Sequence, residues 1–200
     1  MPRLMIQTAR QRGFGLIEVL VALLIMAIGL LGTIALQSRA MQAELESYQR
    51  VQALILLDDM ANRLYANRAR RDCYHLAGHA ELSTNFVGIG SGVTEGDAVA
   101  ELTACNQIAA TDLVTWDAML KGATVTDDSD NQVGAMVGAR GCIERLDANA
   151  RRFRITVAWQ GMQATAEPRE SLTCGAGLYG DDERMRRVVS RVVEFAELVN

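Results

Sequence analysis

The stretch Gly13-Phe14-Gly15-Leu16-Ile17-Glu18-Val19-Leu20-Val21-Ala22 decides the reading of this 200-residue chain. The residues leading into it, MPRLMIQTARQRG, carry Arg3, Arg10 and Arg12 and no acid. After it, Val19 to Leu36 hold no charge at all. Eighteen helical residues span about 27 Å, close to the roughly 30 Å hydrocarbon core of a bilayer. An ordinary secretory signal places its cleavage site after the apolar run, in an A-x-A-like context. Here the run continues through IGLLGTIALQSRAM without a clean site. A plain signal anchor explains the run but leaves Glu18 unexplained. A carboxylate drawn toward lipid is costly unless it is paired or stays at the interface, so Glu18 reads as functional.

Working outward, Gln37 to Arg71 turns amphipathic. Met41, Leu45, Tyr48, Gln52 and Ile55 recur at steps of three and four, and Leu57, Met60 or Ala61, and Leu64 continue them. One helical stripe is predicted. Arg63, Arg68, Arg70 and Arg71 crowd its end, where cations suit the helix dipole. A single helix from Phe14 to about Arg70 would run about 85 Å. Gly29 and Gly32 lie in its apolar half, either as points of local melting or as small residues for close helix contact.

The remainder reads as a small α+β head. Phe86–Asp97, FVGIGSGVTEGD, is a loop, because no βαβ pattern surrounds its glycines. Residues 103–121 read as a short helix with Ile108, Leu113, Trp116 and Leu120 at helical steps and a capped restart at Thr111-Asp112. Asp127-Asp128-Ser129-Asp130-Asn131 is a polar turn; it lacks the later Glu and flanking helices of an EF-hand calcium loop. Strands follow within Gly134–Leu146, and a turn at Asp147–Ala150. Arg152–Gln160 alternates Phe153, Ile155, Val157 and Trp159 on one face, a half-buried strand. The Val-rich residues 188–199 close the chain as a final strand. Antiparallel strands packed on the upper half of the long helix are the expected architecture.

The basic leader, Gly13, Phe14, Glu18 and the uninterrupted apolar helix together resemble the class III signal of type IV pilins and pseudopilins. The resemblance implies cleavage between Gly13 and Phe14 by a prepilin peptidase, N-methylation of Phe14, and a role for Glu18 as the assembly carboxylate. It also implies a structural subunit and not an enzyme. Many major pilins carry a Pro about twenty residues into the mature helix; this chain has none there. In the head, CNQIAATDLVTWDAML (105–120), GCIERL (141–146), RFRITVAWQG (152–161), CGAGLYG (174–180) and RRVVSRVV (186–193) resemble the PilV family of minor pilins, in weaker motifs. The organisation implied is a leader at 1–13, a transmembrane half-helix at 14–36, an amphipathic half at 37–71 and a periplasmic head at 72–200. A minor pilin would prime, cap or modify a fibre; a pseudopilin of a type II secretion system shares the anchor and stands as the alternative. Expected partners are the peptidase, the inner membrane, other minor pilins and the major pilin, with a tip adhesin as a further candidate.

Composition restricts the chemistry. Net charge is -4, so no basic excess points to nucleic acid. No cofactor or metal is expected. His75 and His79, the only histidines, follow Cys73 and invite a zinc reading, but third and fourth ligands are wanting. No nucleophile elbow surrounds any serine. Trp116 and Trp159 read as core. The four cysteines, Cys73, Cys105, Cys142 and Cys174, are widely spaced with no CxxC pair. The leader's arginines stay inside, placing the head where disulfides persist. Four cysteines allow three connectivities. Topology favours Cys73–Cys105, which ties down the glycine-rich stretch, and Cys142–Cys174, which is local to the final sheet.

Overall fold

A computed structural model describes residues 15–78, 84–91, 96–123 and 136–196. The chain divides into two units, residues 1–44 and 45–200. Helix α1, Leu16–Ala66, contributes to both. In the first unit every side chain from Leu16 to Leu36 is exposed. The helix passes unbroken through Gly29 and Gly32. Among the described residues this is one helix long and apolar enough to cross a membrane, with a mean hydropathy of 2.8 over its best 18-residue window.

In the second unit α1 packs on a four-stranded antiparallel sheet, in the order β1 (Val87–Gly88), β2 (Arg140–Arg145), β3 (Arg152–Gln160), β4 (Arg186–Glu194). This is the pilin-like α+β arrangement of a long N-terminal helix on a small antiparallel sheet. Ala53, Leu57, Met60, Ala61 and Leu64 form the buried stripe of α1. Two alanines in that stripe let the helix backbone approach its neighbours. The predicted stripe is therefore half corrected. Leu57, Met60, Ala61 and Leu64 do face the core, but Leu45, Tyr48 and Ile55 are 50%, 58% and 61% exposed. At 100° per residue Tyr48 and Ile55 fall on the opposite side of the helix from Ala53 and Leu57, and Leu45 lies on the flank. The α-helix also ends sooner than predicted. After Asn67 the chain tightens into a 3-10 segment, Arg68–Tyr74, kinked at Arg70.

The single helix predicted over 103–121 is two, α2 (Gly96–Cys105) and α3 (Gln107–Leu120). The break is at Asn106, whose side chain accepts from Ala109 N at 3.0 Å and caps α3. Thr111 and Asp112 cap nothing; they lie inside α3. Ile108 is 60% exposed, and Ala109 and Ala110 take its place in the core beside Leu113, Trp116 and Leu120. The shorter residue lets α3 lie close, and Trp116 Nε1 donates to Leu56 O on α1 at 3.0 Å.

Among the described residues of Gly134–Leu146, the predicted strand is Arg140–Arg145. The final strand is Arg186–Glu194, starting before the predicted residue 188; residues 197–199 of that prediction lie outside the described residues. The loop predicted at Phe86–Asp97 contributes β1 and the start of α2. Strand β3 is buried on both faces from Ile155 to Trp159, where one face was expected. Phe153, Ile155, Val157 and Trp159 join the helix-side core. On the other face Ala158 packs with Phe86, Cys142, Cys174 and Tyr179. The segment after β3 folds back over the sheet, a long-range placement that strand periodicity does not encode.

Two close approaches fix the sheet against α3. Asp117, fully buried, accepts from Gly88 N at 2.7 Å and Ser91 Oγ at 2.8 Å, and its other oxygen lies 2.6 Å from Lys121 Nζ. Gly141 on β2 lies under Trp116. A Cβ there would overlap the indole and come within 2.8 Å of Leu120 Cδ1. Gly141→Ala is expected to destabilise the head by about 1–3 kcal/mol through overpacking. Denaturant unfolding of the purified protein checks this: an unchanged midpoint would mean that Trp116 moves aside freely.

Candidate functional site

The site expected from the sequence is the start of α1. Gly13 and Phe14 lie outside the described residues. Glu18 sits in the first turn of α1, where its N–H donates to Gly15 O at 3.0 Å. A carboxylate there suits the positive end of the helix. Its side chain is exposed, as are its apolar neighbours Leu16, Ile17, Val19 and Leu20. The segment thus presents one acid at the head of an apolar cylinder that is covered by nothing among the described residues. Such a surface is stable only in lipid or against other apolar helices.

The end of α1 is fastened to the head by a polar network and a covalent link. Arg63 bridges Asp59 at 2.7 Å and Asp112 at 2.9 Å. Tyr74 Oη donates to Asp112 at 2.5 Å and accepts from Asn67 Nδ2 at 3.1 Å. Burial, then the bond to Asp112, pushes the Tyr74 phenol well above its ordinary range, so it stays a neutral donor. Asn67 also donates to Asn106 Oδ1 at 2.9 Å. Cys73 and Cys105 are joined beside this network, with Cα atoms 5.8 Å apart. Cys142 and Cys174 are joined across the far face of the sheet, also at 5.8 Å. Sequence reasoning did not reach the network, because its members lie far apart in the chain and carry no motif.

The other singled-out residues are placed as follows. His75 Nδ1 lies 3.3 Å from both Arg145 N and Ile143 O, which fastens the 3-10 segment to β2. Cys73 is committed to its disulfide, and His79 lies outside the described residues, as does the turn at Asp127–Asn131. Among the described residues no group of three metal-ligating side chains occurs. Trp116 and Trp159 are 0% and 3% exposed. Further along α1, Glu46 accepts from Arg187 and from Met162 N, both at 3.1 Å, and Asp58 pairs with Arg191 at 2.6 Å. These two pairs join α1 to β4 and the segment after β3.

Comparison with known proteins places this geometry. Residues 8–34 match the prokaryotic N-terminal methylation motif. Residues 35–89 match the family described as Type IV pilin Tt1218. No curated protein and no solved structure matches the chain. The first match runs from residue 8 into the apolar part of α1; the second covers the rest of α1, its 3-10 continuation and β1. Over residues 8–89 the chain is thus similar to type IV pilins, with a methylation motif running directly into a segment that matches a pilin family.

Proposed function

We propose that the chain is the precursor of a minor type IV pilin of the PilV kind, assembled in small numbers to prime, cap or modify the fibre. The observation that carries this is the methylation motif at 8–34 leading into the Leu16–Leu36 part of α1, which is apolar and exposed on all sides. A prepilin peptidase cleaves after Gly13 and methylates Phe14. Before assembly the chain spans the bacterial inner membrane once, with the arginine-bearing leader in the cytoplasm and the head in the periplasm. In the fibre, Glu18 meets the amine of a neighbour's Phe14 within a bundle of apolar helices. Such a pair adds little raw stability but fixes register. Within the unit 45–200, the exposed Leu45, Tyr48, Val51 and Ile55 offer further apolar surface for contact with other subunits. The major pilin and other minor pilins are the partners, and a tip adhesin is a further one. The chain carries no catalytic role and no cofactor.

The PilV reading rests on the head segments GCIERL, RFRITVAWQG, CGAGLYG and RRVVSRVV together with two disulfides. The segments converge: Cys142 of the first is bonded to Cys174 of the third, over β3 from the second. The second reading, a pseudopilin of a type II secretion system, is favoured by the shared anchor alone. Loss of the chain separates the two. A minor pilin is expected to appear in sheared fibres, and its deletion to reduce piliation. Intact piliation with lost exoprotein secretion would establish the pseudopilin instead.

A further inference from the structure

At the end of the head where α1 stops, a cavity of about 780 Å³ opens between three segments far apart in sequence. Tyr65, Arg68 and Arg71 come from the end of α1 and its 3-10 continuation, Arg151 directly precedes β3, Glu194 ends β4 and Phe195 directly follows it. The chain as a whole is acidic, yet three guanidinium groups and one carboxylate line this cavity. Arg68 is exposed, and among the described residues its side chain has no ion-pair partner. Arg71 spends its bonds on carbonyl oxygens, those of Arg68 at 3.0 Å and of Ala150, and lies 5.3 Å over the Phe195 ring. Carbonyls and a ring face orient that cation without neutralising it. The positive charge of Arg68 and Arg71 is thus held at the cavity by folded structure and is not consumed there.

We propose that this cavity is a carboxylate-binding site that takes an acidic polypeptide segment of a partner subunit. Guanidinium forks match carboxylates in a two-bond geometry, which favours Asp and Glu side chains as ligands. The aromatic groups argue against a sugar. Phe195 is only 7% exposed, covered by Arg71 on one face and bordered by Tyr65 and Phe153 at 5.3 and 6.1 Å, so it offers no open platform for stacking. A nucleic-acid strand is disfavoured by Glu194 in the lining and by the chain's net charge of -4. The exposed neighbours Arg70 and Arg152 add long-range attraction that falls with salt. Every residue that lines the site belongs to the unit 45–200, so it uses none of the apolar segment Leu16–Leu36.

The test uses the full chain in detergent micelles and a fluorescein-labelled tetra-glutamate peptide, with the tetra-glutamine peptide as control. Saturable binding of the glutamate peptide alone is expected, weakening as salt rises. Arg68→Ala is expected to weaken it about fivefold and Arg68→Glu about tenfold or more, with Arg68→Lys retaining most of it. Arg68 is exposed, so unchanged circular dichroism and intact disulfides should accompany these losses. Equal binding of both peptides would overturn the proposal. So would an affinity unmoved by Arg68→Glu, or displacement of the peptide by an oligouronate or single-stranded DNA that binds more tightly. Binding seen only after removal of residues 197–200 would also overturn it, by showing that the chain's own acids occupy the arginines.

Discussion

Glu18→Ala is expected to leave membrane insertion intact and to lower the amount of the subunit in sheared fibres by about tenfold or more. The two effects have opposite electrostatic origins. Removing a charge from the start of an apolar segment makes transfer into lipid easier. In a bundle of such helices, however, the amine at the mature N-terminus of a neighbour loses its counter-charge. Breaking a buried pair from one side costs about 3–5 kcal/mol, because the remaining charge stays buried and unpaired. That exceeds the 1.4 kcal/mol that corresponds to a factor of ten, which leaves room for partial solvation of the amine. The experiment measures the ratio of fibre-borne to membrane-borne subunit in wild type and variant. Equal ratios would remove Glu18 from assembly.

The second large effect concerns the Cys73–Cys105 bond. It closes a loop whose ends are 32 positions apart in sequence, containing α2 and the glycine-rich stretch before it. By loop entropy such a link contributes about 4 kcal/mol. Its replacement by serines in a Cys73→Ser, Cys105→Ser pair is expected to lower the head's thermal midpoint by roughly 8–16 °C. The loss should exceed that of a surface disulfide, because Tyr74, Asn67, Asn106 and Asp112 beside it hold their bonds only while α3 and the end of α1 stay in register. Near-ultraviolet circular dichroism of the buried Trp116 and Trp159 follows the transition. Superimposable melting curves for wild type and variant would show that packing alone holds the two segments. Peptide mapping without reductant is expected to return Cys73–Cys105 and Cys142–Cys174. Free thiols at all four positions would contradict an oxidising compartment.

The parts of this fold that the sequence made legible are those written in local periodicity. The long helix follows from an unbroken apolar run joined to three- and four-residue steps. Strand β3 follows from alternating Phe153, Ile155, Val157 and Trp159. What the sequence hid depends on contacts between distant segments. Leu45, Tyr48 and Ile55 carry the same periodicity as Leu57 and Leu64. Which apolar face meets the head is decided by where the small Ala53 and Ala61 fall, and hydrophobicity alone does not rank alanines above leucines. The helix break at Asn106 was masked by the stronger-looking Thr111-Asp112, whose Asp112 serves Arg63 and Tyr74 instead. Strand β1 is two residues long and held by Gly88, at φ 106°, where a Cβ would collide with Ala139 O. Its identity as a strand comes from pairing with Arg140 and Gly141 and has no periodic signature. The candidate assembly segment was legible because its signal is linear: leader, Gly13, Phe14, Glu18 and apolar run. The arginine-lined cavity was not, since it joins the ends of α1 and β4 with the start of β3.

The central claim is that this chain is a prepilin whose mature form begins inside the quoted stretch. Intact-mass spectrometry of the protein recovered from membranes or fibres tests it most directly. The account predicts a mass for residues 14–200, 187 residues after loss of the first 13 of 200, increased by one CH2 as a methyl replaces a hydrogen on the Phe14 amine and decreased by four hydrogens for two disulfides. A mature chain that keeps the leader, or that begins at any residue other than Phe14, would contradict it.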